Sequence, residues 1–120
     1  MLNVEGVVPT FFVRDLRASL AWYRQVLGFT VQFDTGDYAG VTLGPVTIHL
    51  AQLEKPAPEG VRYKAGCYLR LRSGLDEYVV QIEAAGQALT AKLKDHPEYG
   101  MREATVRDPD GNDIYIGQPL

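Results

Sequence analysis

Three landmarks in this chain recur at a single spacing. Val13 ends one apolar run and Leu71, 58 positions later, ends another. Asp15 and Ser73, both suited to capping a helix N-terminus, are also 58 apart. So are Gly28 and Gly86, each placed to stop a helix. His49 and Tyr115 stand 66 apart, so the second copy carries about eight extra loop residues. A repeated offset of this kind implies duplication, and each copy must then build the same small unit.

Each copy reads as strand, helix, strand, strand, strand. Residues 7–13, VVPTFFV, form the first strand, and Pro9 places it at a sheet edge or where the ladder does not need its amide. Strict alternation puts Pro9, Phe11 and Val13 on one side and Val8, Thr10 and Phe12 on the other. Both sides are apolar, so both are expected to be covered. Leu16, Leu20, Tyr23 and Leu27 follow helical spacing. A strand over 29–33 and a hairpin of 38–43 with 46–51 complete the unit. Residues 54–60, EKPAPEG, are a polar, proline-rich connector.

In the second copy, 67–71 is a strand. Ser73 with Asp76 resembles a capping box. A helix over 75–85 carries Leu75, Tyr78, Val79 and Ile82 as its stripe. Residues 88–92 form a strand, His96-Pro97 opens a loop, and 102–107 and 113–117 close the chain. Asp108-Pro109-Asp110-Gly111-Asn112 is the turn between the last two strands, with Asp108 and Asp110 as turn formers. The expected organisation is one α+β domain over 1–120, built from two βαβββ modules at 5–53 and 62–118. Each sheet has one face on its helix, and the other face must also be accommodated. Two modules side by side can curve into a cleft that a second chain closes. The expectation is a curved mixed sheet lining a concave, aromatic cavity, with the helices outside and a homodimer overall.

With 120 residues the chain is long enough for a real core. No apolar run approaches the roughly 20 residues of a membrane helix, and no signal peptide is visible. The single cysteine, Cys67, fits a reducing cytoplasm. A formal charge of −3 argues against nucleic acid and mildly favours neutral or cationic small molecules.

Alternation turns His49 away from Ile48 and Leu50, toward the expected cavity. Phe12, Tyr38, Tyr68 and Tyr115 are candidates for aromatic walls that could stack on a planar ligand or attract a cation. Glu103 shares parity with Met101 and Thr105, whereas Arg102 shares it with Ala104 and Val106. Since the latter two look like core, Glu103 and Met101 are placed toward the cavity. Arg70 shares the face of Tyr68 and could pair with Glu103 or meet an anionic group. Each candidate has an ordinary alternative: packing for the aromatics, a hydrogen-bonded strand histidine for His49, a solvated charge for Arg102 and Glu103. Trp22 and Tyr23 read as helix packing, and Cys67, in phase with Leu69 and Leu71, as inert core.

FFVRDLRASLAWYRQVLGF, residues 38–50 and YGMREATVRDPDGNDIYIG together resemble the vicinal oxygen chelate superfamily, which includes glyoxalase I, extradiol dioxygenases and bleomycin-resistance proteins. The closing GMRE and DPDGN segments are most similar to the bleomycin-resistance group. The resemblance implies paired βαβββ modules, usually dimeric. In the family's enzymes a divalent metal sits on the sheet surface, held from the first, fourth, fifth and eighth strands. Those positions fall on Val8, on His49, near Gly66 (with Cys67 or Tyr68 as alternatives) and on Tyr115. Only His49 is a good ligand, whereas such sites need about three His, Asp or Glu donors. The reading is therefore a protein with no metal or other cofactor that sequesters a bulky aromatic small molecule, neutral or cationic. The ligand-binding set is Phe12, Tyr38, His49, Tyr68, Arg70, Met101, Glu103 and Tyr115. The rival is a metal-dependent lyase or dioxygenase with shifted ligands, using His49 and Glu103.

Overall fold

The structure is a computed structural model that describes residues 1–60 and 64–120. The expected start of the second module, at residue 62, lies outside the described residues. The chain runs β1 (Thr10–Val13), α1 (Leu16–Gln25), β2 (Thr30–Asp34), β3 (Tyr38–Leu43) and β4 (Val46–Gln52). It continues β5 (Gly66–Arg70), α2 (Leu75–Ala84), β6 (Ala91–His96), β7 (Met101–Arg107) and β8 (Asp113–Pro119). The two halves form four-stranded mixed sheets in the orders β1-β4-β3-β2 and β5-β8-β7-β6. This is the duplicated α+β plan that the offsets imply.

Alternation decides which face of each sheet meets a helix. Phe11, Val13, Val41, Ile48 and Leu50 are fully buried under α1 in the first half. Leu69, Ala104, Val106, Ile114 and Ile116 do the same in the second. The helix stripes are those read from the spacing: Leu16, Leu20, Tyr23 and Leu27 on the first, Leu75, Val79 and Ile82 on the second, all buried. Tyr78 is half-buried, and its hydroxyl donates to the Leu27 carbonyl at 2.6 Å.

Four expectations are corrected. The first strand is shorter than 7–13; in the single chain its second face is open, with Phe12 45% exposed and Val8 43%. The β6 strand begins at Ala91 rather than residue 88, so His96 is strand rather than loop. Ser73 does not cap α2. Gly74, with φ 89°, occupies that position, and no side chain caps there. The second helix starts 59 positions after the first, so the offset of 58 lands one residue early. A different device serves both helices. The Gln52 side chain accepts from the Leu16 amide, and Gln118 accepts from the Leu75 amide, each at 2.9 Å. The two glutamines are 66 apart, the spacing of the closing strands. Finally, Asp108 is more than a turn former.

Asp108 Oδ1 accepts the amides of Asp110 and Asn112, both at 2.9 Å, which folds the turn. Its Oδ2 accepts the Tyr23 hydroxyl at 2.8 Å and the Asn112 side-chain amide at 2.9 Å. Asn112 Oδ1 in turn accepts the Ala65 amide at 2.9 Å. Tyr23 lies on α1 and Asp108 follows β7, so a buried polar cluster joins the halves. Burial, aided by the adjacent Asp108 carboxylate, holds the Tyr23 hydroxyl protonated far above its ordinary range. Arg14 and Ser19 add contacts from the first half to Asp110, and Trp22 Nε1 donates to Gln87 at 3.0 Å.

Tyr23→Phe keeps the ring and removes one donor from a buried carboxylate. It is expected to destabilise the chain by about 1–3 kcal/mol with an unchanged denaturant slope, measured by urea unfolding.

Candidate functional site

The sheet faces turned away from the helices carry the candidate residues. On the first, strand register sets Thr10, His49, Gly40 and Phe33 in one row. Phe12, Ala51 and Tyr38 form the next. The Tyr38 hydroxyl and His49 Nδ1 are 2.9 Å apart. Phe33 stacks on Tyr38 with centroids 6.0 Å apart, and meets the His49 ring edge-on at 5.3 Å. Phe33 lies across Gly40, where a β-carbon would collide with its ring.

On the second face, Arg70, Gly117, Glu103 and Lys94 form one row. Tyr68, Tyr115 and Thr105 form another. Tyr68 leans across Gly117, whose missing side chain leaves the necessary room. It thereby reaches Glu103, donating to Oε2 at 2.5 Å. The Tyr99 hydroxyl donates to Oε1, also at 2.5 Å. His96 stacks on Tyr99 at 4.9 Å, and its Nε2 is 3.6 Å from Glu103 Oε1.

Thus Tyr38 joins His49, and Tyr68 joins Glu103, but among the described residues no hydrogen bond or ring contact links one pair to the other. Glu103 and Met101 lie on the face assigned by parity. Arg102, on the opposite face, pairs with Asp76 at 2.9 Å and Asp95 at 2.7 Å. Arg70 is exposed and makes no ion pair with Glu103 within 4 Å, and the Tyr68 hydroxyl is hydrogen-bonded to that carboxylate. Met101 is half-buried beside His96, and Tyr115 is 45% exposed. Phe12 borders a hollow of about 760 Å³ between the connector and the turn, with Arg14, Lys55, Pro56, Arg107 and Asp110. Of the eight candidates, Phe12 alone lines it.

Phe33, His96 and Tyr99 belong to these clusters but were not among the sequence candidates. A register shift in β2 between Val31 and Phe33 sends Val31 to the core and Phe33 to the open face. A similar shift between Ala91 and Lys94 displaces β6. Neither irregularity has a turn residue to announce it; the only available signal for Phe33 was Gly40 opposite.

The two tyrosine hydroxyls hold the Glu103 carboxyl below its usual range, so it is an anion. Burial and the Glu103 bond push Tyr68 up to about 12, and the bond, then burial, push Tyr99 up to about 12. Cys67, half-buried on the helix side, is pushed up to about 11 by burial and by Asp108, which makes it a poor nucleophile.

The donor set does not fit the divalent metal of the family's enzymes. Val8 lies outside β1, Gly66 has no side chain, and Tyr115 offers a phenol. His49 Nδ1 already meets Tyr38. Among the described residues no three His, Cys, Asp or Glu side chains are grouped to hold a metal ion.

Paired βαβββ units with open sheet faces define the class. The family model described as the Glyoxalase/Bleomycin resistance protein/Dioxygenase superfamily matches residues 7–116, and the chain belongs to that superfamily. No curated protein sequence matches it significantly. Among solved structures it is similar to TioX from Micromonospora sp. ML1, with a TM-score of 0.83 at 20% identity, covering 98% of this chain and 100% of that one. A bleomycin-binding protein complexed with bleomycin gives 0.76 at 22% identity, covering 98% and 100%. A lactoylglutathione lyase from Agrobacterium tumefaciens gives 0.76 at 20% identity, covering 97% and 95%. No described helix is long and apolar enough to cross a membrane.

The hydroxyl–carboxylate bonds have two pH signatures. The Tyr68 and Tyr99 contribution is fully present below the ordinary tyrosine value of about 10 and is lost as pH rises through the folded-state values. That of Glu103 is present above about 4.3 and is lost as pH falls through its lowered value. Ultraviolet titration of tyrosinate should show Tyr68 and Tyr99 among the late-titrating tyrosines, with the buried Tyr23 and Tyr78. Glu103→Gln should bring Tyr68 and Tyr99 back toward about 10 and leave the other two late.

Proposed function

We propose that this protein binds and sequesters a bulky aromatic small molecule without a metal and without catalysis, in the manner its bleomycin-binding structural relative suggests. The observation that carries the reading is the open face itself. Phe12, Tyr68 and Tyr115 are each at least 40% exposed, and Phe33 is 36% exposed. Phe33 meets His49 on the first sheet, and Tyr68 and Tyr115 share a row on the second. Exposed aromatic rings grouped on open sheet faces mark a binding surface. Such rings offer stacking area at low entropic cost.

A homodimer would supply the cover that one chain lacks, and the expected location is the cytoplasm. Capture alone protects a cell by lowering the free concentration of a toxic compound. Phe12, Tyr38, His49, Tyr68, Arg70, Met101, Glu103 and Tyr115 remain the residues assigned to the ligand, now joined by Phe33 and Tyr99. The lyase similarity supports a second reading, in which His49 and Glu103 hold a metal. That reading requires residues on separate sheets to converge.

Thermal denaturation with bleomycin tests the binding reading. A ligand at 100 times its Kd stabilises by about 2.7 kcal/mol. No shift with bleomycin or with a panel of planar aromatic compounds would remove the support. Elemental analysis after dialysis against Zn²⁺ or Ni²⁺ is expected to give well under one ion per chain. A stoichiometric ion that His49→Ala releases would establish the metal-dependent reading instead.

A further inference from the structure

Glu103 is an anion whose charge is not matched in the usual way. Its side chain is 21% exposed, which removes most of its hydration. Lys94 and Arg70 stand in its cross-strand row, yet among the described residues no lysine or arginine comes within 4 Å of it. The one ionisable base at that distance is His96, at 3.6 Å, which also meets Glu98 at 3.1 Å. Two phenol hydroxyls satisfy hydrogen bonding, one on each carboxylate oxygen, and bring no positive charge. Donating to a carboxylate enriches the electron density of both rings. Those rings are 40% and 54% exposed at Tyr68 and Tyr99. A partly desolvated carboxylate flanked by electron-rich rings attracts one class of ligand group.

We propose that the Tyr68–Glu103–Tyr99 cluster is the seat for an organic cation, a quaternary ammonium or similar weakly hydrated group, on the molecule this protein binds. The proposal rests on the ligand-binding reading above and narrows it. Glu103 supplies the charge, and Tyr68 and Tyr99 supply ring faces. Gly117 is needed because any side chain there would displace Tyr68 from the carboxylate. A small, strongly hydrated cation such as Na⁺ would lose more on leaving water than the rings return, whereas a weakly hydrated one loses little.

The test compares two probes of the same shape, 4-(trimethylammonio)phenol and uncharged 4-tert-butylphenol. Their binding is followed by nuclear magnetic resonance titration of the full chain. The charged probe is expected to bind about tenfold more tightly to the wild type, and Glu103→Gln should reduce the ratio to about twofold or less. Equal wild-type affinities, a comparison that needs no variant, would overturn the cation seat while leaving aromatic binding intact. A preference unchanged by Glu103→Gln would overturn it too, by placing the attracting charge elsewhere. Binding of neither probe, with no stabilisation by bleomycin, would overturn the seat and the binding reading together.

Discussion

Two βαβββ units can each bury one sheet face on one helix, but nothing in that arrangement fixes one unit against the other. Here the Asp108 carboxylate does so. One oxygen holds its own turn, and the other accepts from Tyr23 on the first unit's helix and from Asn112 beside it. An ionisable group buried to 4% exposure is tolerable only when its oxygens are fully satisfied, and that requirement is directional. Apolar packing between α1 and the second half could slide by a residue at small cost, whereas this cluster cannot. It therefore sets where Phe12, on the first sheet, stands relative to Arg107 and the turn of the second, because both flank the same hollow.

The two open faces are variations on one device. In each, a cross-strand row contains a glycine, Gly40 or Gly117, and an aromatic side chain lies across it. In the first unit that ring, Phe33, comes from the far edge strand and touches Tyr38 and His49. In the second, the ring is Tyr68 from the strand at the other edge, and its hydroxyl finds Glu103. The two glycines stand on non-equivalent strands, β3 and β8, so each unit reached the device separately. Divergence explains why one became neutral and aromatic and the other anionic.

Period-two alternation made most of the architecture legible. Ile48 and Leu50 inward with His49 outward, and Ala104 and Val106 inward with Glu103 outward, follow from the sequence alone and hold in the structure. The constant offset conveyed the repeat, and glycines at 28 and 86 marked both helix ends. Failures occur where regular counting breaks down. The bulge between Val31 and Phe33 reverses facing with no glycine or proline to reveal it. The one-residue slip at the second helix removes Ser73 from the cap. Tyr23 was legible as a buried helix residue, but its hydroxyl's partner lies 85 positions away, beyond any local pattern. Tyr99 escaped notice because a loop tyrosine next to a proline-containing turn carries no periodicity at all.

A face built this way favours some chemistries over others. A metal ion needs several short side chains whose donor atoms converge on one point. Rings that lie across glycines do the reverse: they spread over the sheet and fill the space into which donors would have to project. On the second unit, Tyr115 stands opposite Tyr68 in one row, and Glu103, the strongest oxygen donor on that face, already accepts a hydroxyl on each oxygen. Freeing it for a metal would leave two phenol hydroxyls without their acceptor. The same geometry leaves broad aromatic surface beside a carboxylate that no lysine or arginine approaches within 4 Å among the described residues, a surface shaped for an extended molecule rather than for a point charge.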